Sequence, residues 1–229
     1  MIGRILASAA IAGLTVGILT VTLQTVFVTP LILEGELYET GARVHFATDG
    51  ITQSPAGAPS ALAEPGRLVS SFAMGIVVET AFALLLVAAF AIAARFGKTT
   101  DARTGMIWGL AAFVTLHLAP AAGLAPELPG MIAAEVGARQ AWWAGTVIAT
   151  GAGIALIAFG KGWLPVAGVA LVALPHLIGA PHLDTYFGVA PPELSAHFAA
   201  RSLAAAAASW VALGALAGWL WHRGEADQA

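Results

Sequence analysis

The chain contains no cysteine and few charged residues, and these two absences limit what it can be. Without cysteine there are no disulfides and no thiolate ligands, so a metal would be held by imidazole, carboxylate or carbonyl groups. Only 10% of the 229 residues are charged, against roughly a quarter in a typical soluble domain. A chain of this length cannot bury so much apolar surface in its own core, so the excess is expected to face lipid.

Long uncharged runs are what the sequence has instead. It is 59% hydrophobic with a mean hydropathy of +0.84, and the runs are near the ~20 residues that a helix needs to cross a bilayer. Their alanine, leucine, valine and glycine content favours helices over an alternating barrel pattern. The sequence therefore predicts an all-α integral membrane protein, a bundle of about six transmembrane helices at approximately 5–29, 68–94, 105–124, 141–160, 163–182 and 202–221.

Two regions leave alternatives open. Only Lys161 and Gly162 separate the fourth and fifth runs, so 141–182 forms either a tight hairpin or one long bent element. Residues 34–67 are rich in proline, glycine and serine in their middle, which is typical of a long external loop rather than a second domain. We therefore expect one transmembrane domain over 1–229. Its Gly13-x-x-x-Gly17 and Gly214-x-x-x-Gly218 motifs predict close helix packing.

The distribution of charge predicts an orientation. With the N-terminus inside, the inner segments hold six basic and three acidic residues, whereas the outer loops hold four basic and nine acidic ones. An excess of basic residues marks the cytoplasmic side, so both termini are expected in the cytoplasm. The chain is then a multi-pass protein of the inner (cytoplasmic) membrane, with an acidic outer face that attracts cations.

Three polar side chains lie inside the predicted spans. Glu79 is 11 residues into the second span, about 16 Å below its outer end and near the bilayer midplane. His117 and His176 each lie roughly 10 Å below the outer ends of their helices, next to Pro120 and Pro175. Intramembrane ionisable residues often mark an ion or proton route, although a hydrogen-bonded packing role is the alternative for all three.

The outer loops repeat a Pro-Glu-Leu sequence. "APELPG" carries Glu127, and "HLDTYFGVAPPELSAHF" carries His182, Asp184, Glu193 and His197. On a helix that starts after "APP", Glu193 and His197 lie on one face and can bind one cation together. The alternative is that the glutamate belongs to a structural network with Arg201. Imidazole and carboxylate together suit Co²⁺, Ni²⁺, Mn²⁺ or Zn²⁺.

The sequence gives little support to the classes of enzymes and nucleic-acid-binding proteins. There is no His-Glu-x-x-His helix, no nucleophile paired with a base and no phosphate-binding loop, so we predict that the chain is not an enzyme. No feature indicates a nucleic-acid partner or a permanently bound cofactor. The lipid bilayer is the expected environment, and a homo-oligomer is left open.

Four pieces of the sequence follow one another in a characteristic order and spacing: "TPLILEGELYE", "LAPELPG" followed by "ARQAWW", "LPHLIGAPH" and "PPELSAHFAARSL". Taken together, they resemble the CbtA family of predicted cobalt transporter subunits over essentially the whole chain. The resemblance implies uptake of Co²⁺ for corrinoid (cobalamin) synthesis, beside a small single-span partner, CbtB. Family descriptions give five spans, whereas the sequence here predicts six.

Carried onto matching positions, the resemblance implies a metal-handling set. It comprises Glu127, His176, His182, Glu193 and His197, to which the physical argument adds Glu79, His117 and Asp184. The leading hypothesis is a subunit that collects cobalt on its outer face and passes it to the buried histidine and glutamate groups. The alternatives are a non-transporting membrane scaffold or accessory subunit, and a carrier of another cation such as Ni²⁺, Zn²⁺ or H⁺.

Overall fold

A computed structural model of the chain describes residues 2–45, 57–185 and 187–226. Over these residues the protein is helical and has no β-strand, only one isolated bridge between Met131 and Gly188. The middle of the predicted external loop, 46–56, lies outside the described residues. The helices in chain order are α1 (Ile2–Leu23), α2 (Thr29–Glu39), α3 (Pro65–Arg95), α4 (Ala102–Phe113), α5 (Ala119–Ala121), α6 (Val136–Phe159), α7 (Leu164–Ile178) and α8 (Pro192–Ala226).

Within the described part of the chain, five helical stretches are long and apolar enough to cross a membrane: Ile5–Glu39, Pro65–Arg95, Ala102–Ala121, Val136–Phe159 and Pro192–Gly224. They confirm the predicted class of an all-α membrane protein. Several extend past the predicted spans, and α2 continues to Glu39, so the connection to α3 begins at Thr40 and not at residue 34. The predicted span 163–182 instead contains the 15-residue α7, about 22 Å long.

Helix α7 is short because its sequence limits both ends. Pro165 lies in its first turn, and Gly179 ends it with a φ of +87°, a backbone conformation that glycine adopts without strain. Pro181 follows and cannot continue a helix. The described residues between Gly179 and Thr185 therefore form the extended and bent segment that carries His182 and Asp184.

Two prolines also widen the helices before them. The residues Gln24–Val28 and Val114–Leu118 are π-helical, and Pro30 or Pro120 follows each segment after one intervening residue. Proline has no N–H and its ring collides with the carbonyl four residues back, so the preceding turn opens. His117 lies in the second wide turn. The Phe27 carbonyl in the first accepts a hydrogen bond from Arg201 Nη1 at 3.5 Å.

The chain divides into two compact units. The first comprises Met1–Val26, Ala61–Phe113 and Ala204–Ala229, and the second comprises Phe27–Ser60 and Val114–Leu203. In the first unit α1 packs closely on α3, since a Cβ on Gly17 would lie 2.7 Å from the Ile76 Cα. Gly214 and Gly218 of α8 similarly contact the backbone of α4. Both Gly-x-x-x-Gly predictions are therefore confirmed as packing contacts.

The second unit is built around α6 and α7. A Cβ on Gly153 would lie 2.7 Å from the Gly168 carbonyl oxygen, and one on Gly168 would come within 2.5 Å of the Gly153 oxygen. The two helices therefore touch backbone to backbone at this crossing. This close hairpin fixes the end of α7, from which the chain continues directly into the segment that lines the candidate site.

Candidate functional site

The second unit contains an open cleft of about 600 Å³. Its walls come from three parts of the chain: His45, the chain from Gly123 to the first turn of α6, and the segment from Pro181 to the first turn of α8. Met131 and Gly188, which form the isolated bridge, both line it, so this bridge joins two of the walls. Most of the cleft is therefore non-helical chain that proline and glycine exclude from the helices, and the first turns of α6 and α8 complete it with Arg139 and Ser195.

Local contacts hold the wall that contains "APELPG". The Leu124 N–H donates to the Pro120 carbonyl at 2.8 Å as the helix ends. Leu128 is buried, and a Cβ on Gly35 would lie 3.2 Å from its Cδ2 atom, so α2 packs directly against this loop. Gly130 then turns the chain with a φ of +78°. These contacts leave the side chain of Glu127 at the cleft.

The chemistry of the cleft rests on four side chains, His45, Glu127, Arg139 and His182. Arg139 Nη2 donates to Glu127 Oε2 at 2.7 Å, and the two side chains are 26% and 37% exposed, so solvent and solutes reach this ion pair. His182 is exposed, and its Nδ1 lies 3.2 Å from the Leu183 carbonyl oxygen. When Nδ1 carries the proton of that hydrogen bond, Nε2 is left with a lone pair for a metal ion.

The structure brings only two of the eight predicted site residues to this cleft, Glu127 and His182. Glu193 and His197 lie in the first turns of α8, where the predicted helix after "APP" does form, and both are exposed. Asp184 is exposed on the segment before them. Neither they nor Asp184 line the cleft, although their neighbours Pro192 and Ser195 do.

His117 and His176 belong to helices of the same unit that lead into the cleft walls. His176 lies two residues before the end of α7, and its ring makes an edge contact with the Trp142 ring, with centroids 6.1 Å apart. It is exposed and not buried as predicted. Trp142 Nε1 donates to the Pro175 carbonyl at 3.2 Å, which ties α6 to the end of α7. His117 is half-buried in the π-helical turn before α5, and Gly123 of the cleft wall follows six residues later.

Glu79 belongs to the first unit and not to the unit that contains the cleft. It lies near the middle of α3, is 7% exposed and accepts a hydrogen bond from the Thr20 hydroxyl of α1 at 3.0 Å. The close packing of Gly13 and Gly17 on α3 brings Thr20 within reach. A neutral hydroxyl is the only hydrogen-bond partner that the structure gives this carboxyl group among the described residues.

No three histidine, aspartate or glutamate side chains of the described residues are close enough together to hold one metal ion. The cleft is therefore an open surface with separated ligands and not a closed metal centre. Sequence reasoning missed His45, which has no motif around it and reaches the cleft only through the fold. In the sequence Arg139 was interpreted only as one of the basic residues of the outer loops, although it lies within the "ARQAWW" motif.

These features define a multi-pass helical membrane protein with an open cleft that carries imidazole and carboxylate groups. A family model described as "Probable cobalt transporter subunit (CbtA)" matches residues 2–222. The chain belongs to the CbtA family, as the sequence motifs predicted. No curated protein and no solved structure matches it significantly.

Proposed function

We propose that this chain is the membrane-embedded subunit of a cobalt uptake transporter and that the cleft is where cobalt first binds. The observation that carries the proposal is the meeting of His45, His182 and Glu127 at one open cleft in a chain of a cobalt transporter family. Imidazole and carboxylate are suitable ligands for Co²⁺. Separated ligands favour weak binding, which an importer needs because the cargo must also leave.

From the cleft, we propose that cobalt moves toward His176 and His117. His176 lies six residues before His182, and His117 lies six residues before the cleft residue Gly123. His176 directly follows Pro175, and His117 lies three residues before Pro120. At membrane depth irregular backbone is tolerated where it lines protein or a wet cavity. Three exposed residues are close in sequence to residues that line the cleft: Asp184, Glu193 and His197. We propose that they raise the local concentration of cations.

The remaining assignments belong to the same proposal. The protein would reside in the cytoplasmic membrane with the cleft outside, as the excess of acidic residues in the predicted outer loops favours. A transporter subunit works with partners, and the small single-span CbtB-like protein is the proposed one.

Cobalt accumulation in cells tests this function. Cells that express the chain with its partner are expected to accumulate Co²⁺, and the combined substitution His45→Gln and His182→Gln is expected to reduce initial uptake on the order of tenfold at low cobalt. His222→Gln is the matched control, because His222 is exposed at the end of α8 in the first unit. Uptake that is the same without this chain would refute the proposal. A scaffold would keep its partner and show no effect of the two cleft substitutions on uptake.

A further inference from the structure

The cleft is larger than a bare cobalt ion requires. Six water molecules at ~30 Å³ each occupy about 180 Å³, so a hydrated ion fills less than a third of the roughly 600 Å³ available. Clefts of 300–1,000 Å³ with mainly apolar walls and a few polar groups are typical of sites for small organic molecules. Leu124, Met131, Ile132 and Phe187 provide such walls here.

The charges of the cleft also suit a bare dication poorly. Glu127 is the only carboxylate among the described lining residues, and the guanidinium of Arg139 already neutralises it. The cleft offers two imidazoles beside this ion pair, and no three potential ligands of the described residues converge. A free dication would therefore meet an ion pair that carries no net charge and an incomplete coordination sphere.

We propose that the cleft takes cobalt as a complex with a small carboxylate-bearing chelator, of the amino-acid or hydroxycarboxylate class. Arg139 would bind a carboxylate of the chelator, since a guanidinium matches this group with two parallel hydrogen bonds. The imidazoles of His45 and His182 would approach the metal, whose other positions the chelator fills. This inference rests on the proposed function, and it names the form in which the cargo arrives.

Uptake at fixed free cobalt tests the inference. Cells that express the chain with its partner are given labelled Co²⁺ buffered to one free concentration, while citrate, malate or L-histidine is raised together with total cobalt. If the complex is the cargo, uptake rises with the concentration of at least one of the three complexes. If uptake depends only on free Co²⁺ with all three chelators, the inference is overturned, although the proposed function stands. If the chain supports no cobalt uptake under any of these conditions, both fall.

Variants at Arg139 identify the group responsible. Arg139→Gln is expected to lower the response to the complex on the order of tenfold, the effect of losing a charge-assisted hydrogen bond. Arg139→Lys keeps the charge but not the two-pronged geometry, so it should restore only part of the response. Arg95→Gln, at an exposed position at the end of α3 in the first unit, is the matched control.

In Arg139→Gln the Glu127 carboxylate loses its ion-pair partner, and a second variant separates this effect from the loss of the guanidinium. The double substitution Glu127→Gln with Arg139→Gln deletes the ion pair as a whole, and it should lose the complex-dependent uptake as fully as Arg139→Gln alone. Binding of cobalt citrate, malate and L-histidine complexes to purified protein in nanodiscs provides the second readout. A double variant that folds and retains wild-type affinity for these complexes would overturn the role of the cleft.

Discussion

Glu79 and Thr20 show how one hydroxyl stabilises a buried acid between two membrane helices. Their hydrogen bond is 3.0 Å long, and both side chains are buried. Glutamine in place of Glu79 keeps an oxygen that can accept the same bond. We therefore expect Glu79→Gln to change the free energy of unfolding little, and Thr20→Val, which removes the donor, to lower it by about 0.6 kcal/mol. Unfolding in detergent micelles measures both.

Thr22→Val is the control for this pair. The Thr22 hydroxyl is exposed and donates to the Ile18 carbonyl of its own helix at 2.7 Å, so its loss should leave helix packing unchanged. A Thr20→Val protein as stable as wild type would contradict the proposed value of the bond. If Glu79→Gln folds normally but abolishes cobalt uptake, Glu79 has a role in transport beyond packing.

Glu135 caps the start of α6 with its side chain. Its carboxylate accepts hydrogen bonds from the backbone N–H groups of Gly137 at 2.8 Å and Ala138 at 2.7 Å. These bonds stabilise the charged form and lower the pKa of Glu135 below its ordinary value. Because the pKa is lower in the folded state, the carboxylate contributes fully to stability above the unfolded value, and the contribution is lost as pH falls through the folded pKa.

The expected result is a pH-dependent effect of Glu135→Ala. The substitution should lower the melting temperature near pH 6, and the difference from wild type should shrink as pH drops below the ordinary glutamate value of about 4.3. Thermal unfolding across this range measures it. Glu64→Ala is the control, since Glu64 has the corresponding position at the start of α3 but makes no side-chain capping bond. A Glu135 effect that is independent of pH would contradict the capping role.

At the scale of the helices, backbone contact between glycines holds α4 and α8 together. A Cβ on Gly109 would collide with the Trp210 carbonyl oxygen, and one on Gly105 with that of Gly214. We expect Gly109→Ala to lower the free energy of unfolding by about 1–3 kcal/mol, because the helices must separate to admit the methyl group. Chemical unfolding in detergent measures the change.

Gly145→Ala is the matched control for Gly109→Ala. No atom lies within 4 Å of the position of its Cβ, so the methyl group meets no neighbour. Alanine is the better helix former by up to about 1 kcal/mol, so this variant should be as stable as wild type or more so. Equal losses of stability at the two positions would show that the contact with the Trp210 carbonyl does not explain the effect of Gly109→Ala.

Helix ends were the part of each element that the sequence predicted least well. Hydropathy marks where a helix can contact lipid, so it located α3 and α6 but stopped the first span at 29, before the polar continuation to Glu39. For the 163–182 run it extended a span across Gly179, whose positive φ ends α7. The π-helical turns also escaped prediction, because a proline shows that a helix is disturbed but does not specify how its carbonyls rearrange.

At the scale of the whole molecule, the side of the membrane reached by α8 depends on whether α7 crosses. The chain has no cysteine, so any introduced cysteine is a unique label site. If α7 crosses, Glu193→Cys should react with an impermeant maleimide in intact cells, whereas Lys161→Cys should react only after permeabilisation. If α7 does not cross, both cysteines are on one side and both are protected.

Cysteines at two further positions, one on each side of α3, test the predicted orientation of the chain in the same experiment. Glu64→Cys, before α3, is expected to be labelled in intact cells, and Arg95→Cys, after it, to be protected, as the predicted orientation with a cytoplasmic N-terminus requires. The reverse pattern at these two positions would invert the whole topology. Protection of Glu193→Cys together with normal labelling of Glu64→Cys would support five spans. It would also contradict the cleft, because Glu127 before α6 and His182 after α7 would then lie on opposite sides of the membrane.

The sequence by itself determined the class of the protein, its main helices, its two Gly-x-x-x-Gly contacts and its family, because hydropathy, small-residue spacing and ordered motifs are properties of local sequence. Only the tertiary structure decided which polar groups meet. It joined Glu127 and His182 with His45 and Arg139 at one cleft, while Glu193 and His197, at ideal helical spacing, stay outside it. Residues far apart in the chain come together through loop conformations and helix packing, and no single stretch of sequence records that geometry.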